Sequence, residues 1–326
     1  AKKTEWLTKA KKLTAKLVEV RASLKPFEAN KAVSKRRLQF KKVARGKLNT
    51  LSHDAEKIRS VTSDIVNAIG AARADDEQVK QQMKETGDMA DGGLTPDMAL
   101  GKRYLLDLLC SNVIVRVQAE GFNGTRGDGF PLAAMLATAS VQVKELVPLL
   151  ASHFYTACPA TMPALPEDVE GDDENALMES LGMLKDKTGE YETFDRFLTR
   201  TEGLVSMMAG IMASIPSDHV LMGGHRGAMD WLGRFLDLLP PAPQEPLSLL
   251  TAPVLVAFLT GAGKMLANKF PQEFKGHLDI ITNDIFKRLD VGTIGLPSAT
   301  RLKKILEGGF EGFRTTIPPG AVEAYY

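Results

Sequence analysis

The apolar positions at the start of the chain repeat with the rhythm of a heptad. Trp6, Ala10, Leu13, Leu17, Val20 and Leu24 are spaced alternately by four and three residues, the a/d seam of a helix that lies against another apolar surface. Pro26 is expected to end that helix, because its ring clashes with the carbonyl one turn back and it has no N–H to donate. A second helix, very basic, is predicted from there to about Lys47. A third runs from Leu51 through Ile58, Ile65 and Ile69 and fades in the polar stretch before Gly92-Gly93.

Beyond that point the pattern is of helices of roughly 12 to 20 residues separated by Gly and Pro. Thr95-Pro96 marks a start, with Thr as N-cap and Pro at the first helical position. The next helix carries Leu105, Leu106, Leu109, Val113 and Val117 on one face, and Gly121 to Gly129 form a loop before Phe130-Pro131 opens another helix. Pro148 cannot continue it, so Lys144 to Tyr155 forms a separate or kinked element that Cys158-Pro159 closes. An acidic, Pro-rich loop runs on to about Asn175. Further helices are expected at 176–186, 193–214, 226–239, 248–268, 272–289 and 298–308, the last with Ser298 as N-cap and Gly308-Gly309 at its end. No alternating strand pattern exceeds four residues. The prediction is an all-α fold, a HEAT-like or MIF4G-like α-solenoid of stacked antiparallel helix pairs with degenerate repeats. Residues 1–30 are expected to be the end of a coiled-coil helix or a long helix packed on the body, and residues 31–326 one helical domain.

Composition narrows the class. Hydrophobic residues make up 44% and aromatics 6% of 326 residues, enough for a large core built mostly from Leu, Ala, Val and Met. Cys110 and Cys158 are too few for a disulfide framework and sit in apolar helical patterns, as free intracellular thiols do. No apolar run approaches the roughly 18 residues of a membrane span. The first residue is Ala, which suggests a piece of a longer protein. The net charge of +1 hides a polarity: residues 1–60 hold 18 Lys/Arg against 5 Asp/Glu, and the remainder 23 against 35. Such asymmetry suits an anionic partner for the N-terminal part, or simply a solvated helix.

No motif in the sequence carries catalytic chemistry. Thr260-Gly261-Ala262-Gly263-Lys264 resembles a phosphate loop but lacks the Gly five positions before Gly263, has Met265 where Ser or Thr should hold magnesium, and falls inside a helix. Close helix packing is the better role for these glycines. His53, His153, His219, His225 and His277 are scattered, without metal-ligand spacing. Asp168, Glu170, Asp172, Asp173 and Glu174 lack calcium-loop spacing and read as a solvated loop. Asn123-Gly124-Thr125 and Arg126-Gly127-Asp128 match a glycosylation and an adhesion motif that mean little in a reduced compartment. Met207, Met208, Met212, Met222 and Met229 fit core filling better than an adaptable groove. A non-enzymatic binding scaffold is the expectation, with no metal.

One constellation carries binding chemistry: Lys35, Arg36, Arg37, Lys41, Lys42, Arg45 and Lys47, of which positions 37, 41, 42 and 45 share a helical face. Such a face can hold a phosphate-dense ligand, nucleic acid or an acidic partner. Phe40 alone is available nearby for base stacking, which argues against direct binding of single-stranded RNA.

Phe130-Pro131-Leu132-Ala133, then Glu145-Leu146-Val147-Pro148, then Phe154 with Cys158-Pro159 resemble in order and spacing the C-terminal domain of the nuclear-pore mRNA-export factor family Gle-one. Gln118-Ala119-Glu120 and Trp231 with Arg234-Phe235-Leu236 fit two further elements of it, and the resemblance covers most of residues 40–310. It implies a non-catalytic helical domain that binds both lobes of a DEAD-box RNA helicase at the cytoplasmic face of the nuclear pore, stimulating its ATPase and RNA release. It also implies an FG nucleoporin C-terminal segment as a partner, no membrane contact, and inositol hexakisphosphate as a tether. The fungal phosphate pocket has a Lys and a His where Val113 and Val117 stand here, and a Lys pair where Thr156-Ala157 stand. The resemblance therefore leaves Lys41, Lys42, Arg45 and Lys47, with Arg116 and His153 as substitutes, to hold the ligand more weakly. Two other readings remain open: a MIF4G-type scaffold gripping a DEAD-box helicase in translation or mRNA decay, and a nucleic-acid-binding helical adaptor.

Overall fold

A computed structural model describes residues 2–86, 94–122, 129–163, 174–215, 221–241, 247–289 and 297–309. The adhesion and glycosylation motifs, His219 and Asp168 to Asp173 lie outside these residues. The helices are α1 (Lys2–Ala29), α2 (Ser34–Leu48), α3 (Ala55–Thr86), α4 (Gly101–Glu120), α5 (Gly129–Gln142), α6 (Leu146–Ala157), α7 (Glu174–Leu181), α8 (Phe194–Ser214), α9 (Gly224–Asp237), α10 (Thr251–Lys269), α11 (Pro271–Ile280) and α12 (Pro297–Gly308). A π-helical turn, Ile281–Ile285, carries α11 on to Phe286–Arg288. Among the described residues the single β-type contact is an isolated bridge between Lys185 and Tyr191.

The helices pack in a row, as the HEAT-like reading requires. α3 lies on α4 and α5, these two lie on α8, α8 on α10, and α10 on α12. One continuous apolar core runs through them from Leu17 to Leu302. α8 and α10 form the most extensive pair, and Gly261 explains how close they come. A Cβ there would lie 2.4 Å from the Ser206 carbonyl oxygen and 2.7 Å from the Ala209 Cβ. The glycine of the false phosphate loop is thus a packing glycine. Met207, Met208, Met212 and Met229 are fully buried, so the methionines fill core. Trp231 stacks on Phe235 and Phe258 and donates its indole N–H to the Thr161 carbonyl at 3.0 Å, tying α9 and α10 to the 3-10 turn after α6.

The heptad seam of α1 faces this body: Ala10, Leu17, Val20 and Leu24 are buried, and α1 rests on α6 and α4. Pro26 does not end the helix. α1 continues to Ala29 because Leu24 and Phe27, buried on either side of an exposed proline, hold the chain in place. The Arg37 guanidinium then satisfies the carbonyls of Phe27 and Asn30, both at 2.7 Å. Two other expectations shift. The predicted helix at 176–186 stops at Leu181, because Gly182 turns left-handed at φ +80° and Asp186 accepts from the Thr188 N–H to close a turn. Ser298 is no N-cap. It lies inside α12, and its hydroxyl donates to Glu202 at 2.7 Å. No helix of the described residues is long and apolar enough to cross a membrane.

Candidate functional site: the cationic face of α2 and the end of α4

The basic helix divides into two sets of cations. α2 buries Phe40, Ala44 and Leu48 against the body, and the charges nearest that stripe have internal partners. Arg36 donates to Asp76 at 2.8 Å, to the Ala72 carbonyl at 2.8 Å and to the Met98 carbonyl at 3.0 Å. Asp76 in turn accepts from the Gly101 and Lys102 N–H groups at the first turn of α4. Arg37 closes the end of α1, as described. Lys47 pairs with Asp64 of α3 at 2.6 Å.

Lys35, Lys41, Lys42 and Arg45 point outward and form no ion pair among the described residues. The predicted grouping of 37, 41, 42 and 45 therefore loses Arg37 to the fold and keeps the other three. Arg116 joins them from α4. Its guanidinium reaches the Leu48 carbonyl at the end of α2 at 2.8 Å and lies 3.9 Å from Glu120. The structure thus gathers Arg45, Lys47 and Arg116 about the last turn of α2, with Lys41 and Lys42 one turn earlier.

His153 is not brought to this face. Its ring is buried in α6, and Nε2 lies 2.8 Å from Asp107 of α4, so a ligand on α2 would have to extract it from the core. Val113 and Val117, which the resemblance aligned with cationic positions, are fully buried on α4. The exposed positions of that helix end are Val115, Ala119 and Glu120.

A cleft of about 500 Å³ opens beside the same helix end, lined by Val115, Gln118, Ala119, Lys185, Arg196 and Arg200, among others. Sequence reasoning missed these cations because they come from segments more than 60 residues further on. Arg200 is internal: it donates to the carbonyls of Ala157 and Gly182 and pairs with Glu192, holding the 182–192 turn against the end of α6. Lys185 is held by Glu179 and Tyr191, and hydrogen bonding to Glu179 raises its pKa. Arg196 is exposed, without an ion pair among the described residues. Lys185 and Asp186 fall inside the helix predicted at 176–186, so the spacing pattern gave no sign of this cleft.

Burial pushes the thiols of Cys110 and Cys158 up, away from the thiolate that nucleophilic chemistry needs. No group of His, Cys, Asp or Glu among the described residues could hold a metal ion. The site is a cationic surface on a rigid support, suited to a polyanion.

Comparisons with known proteins follow the same line. The profile of the family described as GLE1-like protein matches residues 10–282. The mRNA export factor GLE1 of Rattus norvegicus and that of Mus musculus are each 26% identical over 201 residues, covering 59% of this chain and 27% of theirs. The chain therefore spans about a quarter of the length of the curated relatives it matches. The Danio rerio factor of the same name is 26% identical over 163 residues, 49% of this chain and 22% of its own. Among solved structures, one of the S. cerevisiae Dbp5 C-terminal domain bound to Gle1 and IP6 superposes with a TM-score of 0.73 at 15% identity, covering 96% of this chain and 97% of that one. A second such complex, with a substitution in Gle1 as well, gives the same figures. The chain belongs to the GLE1-like protein family.

Proposed function

We propose that this GLE1-like chain works in mRNA export by gripping a DEAD-box RNA helicase and stimulating its ATP hydrolysis and RNA release, without catalytic chemistry of its own. The work would take place at the cytoplasmic face of the nuclear pore, where an FG nucleoporin C-terminal segment would dock on the same domain. Residues 1–30 would continue upstream as a coiled coil. The observation that carries the reading is family membership across residues 10–282, joined to an α2 face whose outward cations form no ion pair among the described residues. A rigid helical stack can favour the lobe arrangement of a helicase that it binds best, and that shifts the helicase's populations without any chemistry in the scaffold.

Inositol hexakisphosphate would be the tether, held by Lys41, Lys42 and Arg45 with support from Lys47 and Arg116. Lys47 and Arg116 are already engaged by Asp64 and by the end of α2, so each would have to share its charge. That supports a weaker site than a pocket of dedicated lysines.

The test has two arms. Mixing the chain with a nuclear-pore DEAD-box helicase and RNA should raise ATP turnover, and inositol hexakisphosphate should raise it further. Unchanged turnover would sink the activator reading. Calorimetry with inositol hexakisphosphate at low salt should give heat, and K41E/K42E/R45E should weaken binding by at least about 100-fold, given the strength of charge-assisted contacts. No heat with the unmodified chain would remove the tether and leave the helicase reading standing.

A further inference from the structure

On another part of the molecule, α1, α4 and α6 enclose a cleft of about 300 Å³. Its floor is apolar, made by Val20 of α1, Leu106 of α4, and Pro148 and Leu149 of α6, and its rim carries Lys16, Lys102 and Arg103 against a single carboxylate, Glu145. No residue of α2 lines it. We propose that this cleft docks an acidic peptide segment of a partner protein, with one bulky apolar side chain on the floor and neighbouring carboxylates on the rim cations.

Three observations fix that chemistry. The volume is at the bottom of the range for small-molecule pockets and matches a large side chain rather than a whole cofactor. The rim is cationic with one resident anion, and that anion is exposed. Lys102 bonds Glu145 at 2.6 Å, yet the Glu145 side chain is 61% exposed and that of Lys102 only 20%. Glu145 therefore stands where a partner's carboxylate would stand, on the solvent side of Lys102. The Lys102 hydrogen bond lowers the Glu145 pKa, in keeping with a charged carboxylate beside Lys102. Finally, Arg103 spends its guanidinium on a neutral partner, the Ser23 hydroxyl at 3.1 Å, and Lys16 forms no ion pair among the described residues. A nucleic acid would satisfy the rim but leave the floor empty, since no aromatic ring lines the cleft for a base to stack on.

The test is fluorescence anisotropy of the full chain with a fluorescein-labelled peptide, Glu-Asp-Asp-Phe-Asp-Glu-Asp, at low salt. Two control peptides carry Lys for every acidic residue, or Ser for the Phe. The acidic Phe peptide should bind, and each control should bind at least about 10-fold more weakly. Lys16→Glu and Arg103→Glu, both at exposed positions, should each weaken binding about 5-fold, as rim charges do. Glu145→Gln should tighten binding, because it removes the resident competitor. A merely destabilising substitution would not do that. Equal affinity for the control peptides overturns the proposal, as does affinity indifferent to both charge reversals or weakened by Glu145→Gln. So does displacement of the peptide by polyuridine at comparable concentration.

Discussion

The α8–α10 pair and the junction of α2, α3 and α4 are both tightly built, but from opposite materials. Between α8 and α10 the contact is made of small and apolar groups: Gly261 against the backbone of Ser206 and Gly210, Ala209 beside it, and one buried hydroxyl, Ser206, donating to the Ala257 carbonyl at 2.9 Å. At the α2 junction the fasteners are charges. Arg36 and Asp76 join α2 to α3 and to the start of α4, Lys47 joins α2 to α3, and Arg116 joins α4 to α2. A basic helix in such a place is not uniformly available for ligands. The difference teaches that cations on α2 must be sorted by what they hold before any is assigned to binding.

The sharpest way to break that sorting is Asp76→Ala. The carboxylate is buried, satisfies Arg36 and two backbone N–H groups, and leaves all three short of a partner when removed. We expect urea unfolding to show a loss of about 3 kcal/mol of unfolding free energy, at the low end for a broken buried pair because Arg36 keeps Asp75 at 3.4 Å. A loss below about 1 kcal/mol would mean the charges are surface ornament. Gly261→Ala tests the other region. The new Cβ meets backbone rather than a flexible side chain, so α8 and α10 must separate, and overpacking of this kind costs roughly 2 kcal/mol. In contrast, K41E/K42E/R45E should leave the unfolding free energy within about 0.5 kcal/mol of the unmodified chain, as surface substitutions do. Stability preserved while anion binding is lost is the result that would separate the two kinds of cation on one helix.

What the sequence made legible follows the same division. Apolar periodicity placed nearly every helix, because burial of a face is a local pattern: the α1 seam, the Leu105 to Val117 face and the α8 and α10 runs all lie where spacing put them. Helix ends were read less well. Pro26 was outweighed by Leu24 and Phe27, which act through tertiary contacts that spacing does not reveal, and Gly182 ended α7 through a backbone angle that Gly permits but does not announce. The site was half legible. Charge density pointed to α2, but the partners that remove Arg36, Arg37 and Lys47 from free use stand between 7 and 62 residues away. His153 looked as available as any other histidine until the fold buried it beside Asp107.

A last and smaller effect extends the comparison to acid. His225 is buried in α9 with Nε2 at 2.9 Å from the Ala213 carbonyl of α8, a contact the neutral ring makes by donating its N–H. Burial lowers its pKa below the ordinary 6.5. In the unfolded chain the ring takes up a proton as pH falls through about 6.5, whereas in the folded chain it stays neutral to lower pH. The unfolded state then binds more protons, so the stabilisation is complete above about 6.5 and declines as pH falls from there toward the folded value. One group can contribute a slope of at most about 1.4 kcal/mol per pH unit. His225→Gln has no proton to gain, so between pH 7 and 5 its unfolding free energy should fall less steeply than that of the unmodified chain. Equal slopes would show that acid acts on this fold through groups other than His225, such as Asp97, whose pKa is lowered by hydrogen bonds from Thr95 and Asn30.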